Sequence, residues 1–146
     1  MGKSKIFLII LAIILIVCFG VYYQICLRTP FMKDVRHVFL VFEQAAKIEV
    51  ADEDDKRLLI NLFNIRFTKN ETINSGPSPV HEVEVIFETD TQAYYYTIVL
   101  GLYGHAPELR YFGFGGHGYL NYSEEWWSEL LLFLSKFDET HAASRL

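Results

Sequence analysis

The first apolar run in this chain has no period at all, and the runs after it have two different ones. From Ile6 to Leu27, twenty-two consecutive residues carry no charge. As a helix rising ~1.5 Å per residue, that run reaches about 33 Å and covers a ~30 Å hydrocarbon layer. Lys3 and Lys5 precede it, Tyr22 and Tyr23 stand where an interfacial aromatic belt falls, and Arg28 closes it. The length favours an uncleaved signal-anchor over residues 1–28. A cleaved signal is the runner-up, because Cys18-Phe19-Gly20 puts small residues third and first ahead of a cut before Val21. Val17 ahead of Cys18 argues against a lipoprotein signal, and Ile6 in "MGKSKI" argues against N-myristoylation. A short N-terminal tail followed by a domain predicts residues 28–146 outside the cytoplasm, with flanking cations nearly balanced on the two sides.

Residues 29–36 read as a linker. Beyond it, Val38 to Phe42 and Lys47 to Val50 are dominated by β-branched and aromatic residues and predict two short strands. The first could instead continue a helix capped by Thr29 with Pro30 at its first position. Asp52 is a strong N-cap, with Glu53, Asp54 and Asp55 facing the positive helix end. Leu58, Leu59, Leu62 and Phe63 then recur at helical spacing, predicting a helix over Glu53–Asn64. "KNETINSGPSP" is a loop by composition.

Period-two alternation takes over in "VHEVEVIFE" and "AYYYTIVLGL", joined by Thr89-Asp90-Thr91-Gln92. Setting Glu88 opposite Ala93 aligns Phe87 with Tyr94, Val85 with Tyr96 and Val83 with Ile98. The other face then pairs Glu84 with Thr97 and Ile86 with Tyr95. One register sorts apolar from polar on both strands, the condition for a hairpin with one buried face. A third strand, "ELRYFGF", and a short extended stretch, "YLNYS", follow.

The last element, "SEEWWSELLLFLSKF", predicts a helix capped by Ser123. Trp126, Leu130, Phe133 and Phe137 form one apolar row; Trp127, Leu131 and Leu134 form another. The closing residues 139–146 read as a flexible tail. The fold class is therefore α+β: an N-terminal transmembrane helix, then residues 37–138 as a small antiparallel sheet with two helices on one face. The element order is β-β-α-β-β-β(-β)-α.

Charge narrows the partners. Residues 29–146 hold 10 of the 13 Lys and Arg and all 18 Asp and Glu, a net of −8. Such a surface disfavours nucleic acid, whose binding rests on cations neutralising phosphates. Both cysteines, Cys18 and Cys26, belong to the N-terminal run, so a disulfide framework or thiolate zinc site in the domain is ruled out.

The candidate chemistry is sparse. Gly113-x-Gly115-x-x-Gly118 has the spacing of a dinucleotide-binding fingerprint, but that motif needs a βαβ unit around it. Here extended residues follow, so the glycines predict a turn between antiparallel strands. His37, His81, His105, His117 and His141 are scattered without ligand spacing. Glu82, Glu84 and Glu88 share one strand face about 7 Å apart, a spacing carboxylate pairs use in glycoside hydrolysis but also that of a solvated sheet face. No GxSxG elbow accompanies the serines. No catalytic, cofactor or metal residue is assigned.

Aromatic residues make up 16% of the chain, more than a core of this size requires. Tyr94, Tyr96, Trp126 and Phe133 fit the core, leaving Tyr95, Tyr111 and Tyr119 as candidate contact residues with Glu82 and Glu84, since tyrosine offers an apolar body and a polar tip. The function that fits is a single-pass, membrane-tethered binding module contacting another protein, such as an inhibitor, immunity factor or envelope-complex subunit. Two alternatives remain. One is an enzyme whose site assembles from Glu84, Tyr95, His105 and His117. The other is a structural protein acting through its span.

Overall fold

The computed structural model describes residues 2–43, 46–70, 82–100, 107–113 and 118–144. It is an α+β arrangement: one apolar helix, then an antiparallel sheet with two further helices. The apolar stretch of helix α1 (Lys3–Cys26) is exposed, and its segment Lys3–Gln24 is long and apolar enough to be a membrane span or a signal sequence. Strands β1 (His37–Phe42) and β2 (Ile48–Glu49) lead to helix α2 (Glu53–Phe63). Strands β3 (Lys69–Asn70), β4 (Glu82–Glu88), β5 (Ala93–Val99), β6 (Glu108–Phe112) and β7 (Gly118–Leu120) precede helix α3 (Glu124–Ser144). The strands form one sheet in the order β2-β1-β4-β5-β6-β7-β3.

Local signals set these elements as read. The amides of Asp54 and Asp55 donate to Asp52 Oδ1 at 3.0 and 2.9 Å, capping α2. Those bonds, Asp55's first, hold the Asp52 carboxyl below its ordinary value. Ser123 caps α3 by accepting from the amide of Trp126 at 3.2 Å. The β4–β5 hairpin has the expected register throughout, from Glu88 opposite Ala93 to Val83 opposite Ile98. Phe87, Tyr94, Val85 and Tyr96 are accordingly buried.

The core lies between the sheet and both helices. Phe63 of α2 is its hub, with ring centroids 5.2 Å from Phe87, 4.7 Å from Tyr96 and 5.4 Å from Trp126 of α3. The Trp126 indole N–H donates to the Leu62 carbonyl at 2.7 Å, so the one polar atom of that ring is satisfied where it is buried.

Three expectations need correction. Residues 29–36, read as a linker, pack onto the domain: Thr29 and Met32 are buried. Asn64, at the end of α2, clasps Met32, accepting from its amide at 2.7 Å and donating to its carbonyl at 3.0 Å. The favoured strand reading of Val38 to Phe42 holds, and the alternative helix from Thr29 does not form, because Thr29 pairs with Phe67 (N···O 2.9 Å) beside a bridge between Arg28 and Thr68. Lys69 and Asn70, assigned to a loop, extend the sheet by pairing with Leu120 and Tyr119. Helix α3 continues through residues 139–144, where no glycine or proline interrupts it and Ala142 and Ala143 favour it.

Candidate functional site: the open face of the sheet

Alternation along each strand sends half of the side chains away from the helices. The register arranges those residues in rows across the sheet. One row runs Phe39, Ile86, Tyr95, Phe112, from β1 through β4 and β5 to β6, with Glu49 of β2 beside Phe39. The next runs Val41, Glu84, Thr97, Arg110, Tyr119, from β1 to β7. Strands lie about 4.8 Å apart and rows about 7 Å apart, so both rows fit within one contact patch. No described helix covers this face, and none of its residues belongs to the core cluster.

The first row is apolar and only partly sheltered: Tyr95 is 42% and Phe112 37% exposed. Ile86 is buried between its neighbours, leaving Tyr95 and Phe112 as the accessible rings. Charged groups frame the row. Lys47 Nζ lies 3.8 Å from the Phe39 ring centroid and 2.5 Å from Glu88 Oε1. His37 Nδ1 meets Glu49 Oε1 at 2.7 Å. Arg110 donates to Glu108 Oε2 at 2.8 Å while its guanidinium carbon stands 5.1 Å from the Tyr119 ring centroid. These are half-exposed pairs and contribute little stability. They hold the Lys47 and Arg110 heads beside the aromatic rings of Phe39 and Tyr119.

Glu82, Glu84, Tyr95 and Tyr119 all belong to this face. Tyr111 does not. It stands opposite Tyr96 on the helix side, is 1% exposed, and packs with ring centroids 5.1 Å from Tyr96. Its alternation with Arg110 and Phe112 dictates this, because period two sends Tyr111 inward whenever Arg110 points out. Burial pushes its phenol up to about 12 and pushes that of Tyr96 further still. Phe39, Ile86, Arg110 and Phe112 share the open face with Glu82, Glu84, Tyr95 and Tyr119, and the sequence reading did not single these four out. The available signal was an apolar residue in the polar phase of a strand: Ile86 among Glu82, Glu84 and Glu88, and Phe112 in phase with Arg110.

Glu84 and Tyr95 are diagonal neighbours on β4 and β5, whereas His105 and His117 lie outside the described residues. His81 does too, and His37 stands at the margin of the face against Glu49. Among the described residues, no group of three or more His, Cys, Asp or Glu is placed to hold a metal ion. The glycine motif joins β6 to β7, and those strands are antiparallel neighbours, with Leu109 opposite Leu120 and Tyr111 opposite Gly118. The motif is thus a hairpin connection without the parallel strand and intervening helix that a dinucleotide fingerprint needs. Residues 114–117 of that connection lie outside the described residues.

No family model, curated protein or solved structure matches the chain.

Proposed function

We propose that this protein is a single-pass, membrane-tethered binding module whose open sheet face contacts another protein, as an inhibitor, immunity factor or envelope-complex subunit. The observation that carries the reading is the row Phe39, Ile86, Tyr95, Phe112, framed by Lys47, Glu84 and Arg110 on a face that no described helix covers. Exposed aromatic rings with neighbouring arginine are what hot spots of protein interfaces are made of. The uncharged length of α1 supports an uncleaved anchor, with the domain outside the cytoplasm. The acidic balance of the domain argues for a protein partner over a nucleic acid.

The test uses the full-length chain solubilised gently from its own membranes. A partner should co-purify with it and be lost with Tyr95→Ala and Phe112→Ala, while the melting temperature stays within a few degrees. A partner retained by the double variant would remove the open face from the account. Turnover of an ester, glycoside or peptide substrate that is abolished by Glu84→Gln would favour the enzyme reading instead.

A further inference from the structure

The end of the domain next to α1 differs in charge from the rest. Segments 28–36 and 64–69 hold four cations that are not buried, Arg28, Lys33, Arg36 and Arg66, against the single carboxylate Asp34, while the Lys69 side chain is buried beside Tyr111. Arg36 is paired with Asp90 at 2.6 Å. Arg28, Lys33 and Arg66 meet no carboxylate among the described residues. The same rim carries two outward apolar side chains, Phe31 (52% exposed) and Ile65 (56% exposed). The two segments are stitched together by the pairing of Thr29 with Phe67 and by the Asn64 clasp on Met32.

The rim is also joined directly to α1. The Lys69 amide donates to the Leu27 carbonyl at 2.8 Å. Arg66 reaches the Gln24 carbonyl, in the last turn of α1, with Nη2 at 3.4 Å and lies near the Thr29 carbonyl with Nε at 3.5 Å. Arg66 does so from a left-handed backbone, φ 57°, that a residue with a Cβ adopts at a cost. The Arg28 guanidinium lies 6.0 Å from the Tyr23 ring centroid.

We infer that this rim is seated in the headgroup layer of the membrane that α1 crosses, with Phe31 and Ile65 entering the interface and Arg28, Lys33 and Arg66 facing lipid phosphates. This rests on the reading of α1 as a retained span. The uncharged run from Ile6, rising ~1.5 Å per residue, exhausts a ~30 Å hydrocarbon core near Cys26, within one turn of Gln24. Arg66 is bound at that level, so its neighbours Ile65 and Phe31 have no room to stand far from the bilayer. Guanidinium and ammonium groups there match phosphate, and a large apolar side chain between them gains by leaving water. The acidic remainder of the domain is repelled by anionic lipid, which leaves the open sheet face free for the partner.

The test is depth measurement by spin labelling of the full chain in phosphatidylcholine vesicles containing some phosphatidylglycerol. In a Cys18→Ser, Cys26→Ser background, single cysteines are placed by Phe31→Cys, Ile65→Cys, Ile14→Cys and Asp54→Cys. Asp54 is exposed at the far end of α2, about 15 Å along the helix from Asn64 at ~1.5 Å per residue. Labels at 31 and 65 should relax more with oxygen, which concentrates in the bilayer, than with a water-soluble nickel chelate, and the label at 54 should do the reverse. Adding Lys33→Glu, at an exposed side chain, should shift the label at 31 toward the aqueous value. If labels at 31 and 65 read as aqueous, or are shielded from both reagents, while 14 reads as bilayer, the rim inference is overturned and the anchor stands. An aqueous label at 14 overturns both.

Discussion

Gly113 shows how a single side chain gives a glycine motif its local meaning. A Cβ built there, just past the end of β6, would collide with the hydroxyl of Tyr111, two residues back. Tyr111 is buried against Tyr96 and the Lys69 ammonium, 5.0 Å from its ring centroid, so it has nowhere to swing. The glycine is needed for room for a ring, not for a phosphate. Gly113→Ala should therefore lower stability by about 1–3 kcal/mol, the usual cost of overpacking. Added ATP, NAD or FAD should leave the melting temperature unchanged, because only a ligand that binds the folded state raises it. Thermal melts of the variant, and of the parent with each nucleotide, check both statements. A nucleotide-dependent rise abolished by Gly113→Ala would restore the fingerprint reading.

At the scale of elements, the hairpin of β4 and β5 was fully legible because its pattern is strict. Val83, Val85 and Phe87 alternate with Glu82, Glu84 and Glu88, and a one-residue slip would bury the glutamates. Phe87→Ala should accordingly cost about 3–5 kcal/mol, and Glu84→Ala under ~0.5 kcal/mol, in denaturant titrations of the two variants. The reverse ranking would mean that the faces are exchanged. The helices α2 and α3 were legible from their caps and apolar rows. What escaped is held by single long-range bonds that no periodicity encodes. Met32 enters the core because Asn64, 32 positions away, satisfies both its amide and its carbonyl. Lys69 and Asn70 become a strand because β7 presents an unpaired edge, although their own composition reads as loop. The open sheet face was half legible: its carboxylates and tyrosines stood out in sequence. Phe39 and Val41 did not, since β1 is apolar on both faces and so shows no alternation.

At the scale of the whole molecule, the buried tyrosines make stability depend on alkaline pH. Burial holds Tyr111 up to about 12 and Tyr96 higher, whereas an unfolded chain ionises its phenols near 10. Raised folded values mean that the contribution is fully present below pH ~10 and declines as pH rises toward ~12, because the unfolded state loses protons first. A melting curve at stepped pH should show this decline, and phenolate absorbance from the core should appear only with unfolding. Phe87→Ala, which loosens the packing against Tyr96 (ring centroids 5.8 Å apart), should move the decline to lower pH.

The molecule presents three surfaces with separate roles in this account: an apolar helix for the bilayer, a basic rim beside it, and an open sheet face for a protein. The central claim is that the third is the working surface. A photo-cross-linking amino acid placed singly at Tyr95, Phe112, Leu132 and Asp54 of the full-length chain tests it in intact membranes. Leu132 is the decisive control, because at 75% exposed on α3 it is a more accessible apolar side chain than either ring. The account predicts one discrete adduct from positions 95 and 112, competed away by unmodified protein, and none from 132 or 54. An adduct from Leu132 with positions 95 and 112 silent would contradict it.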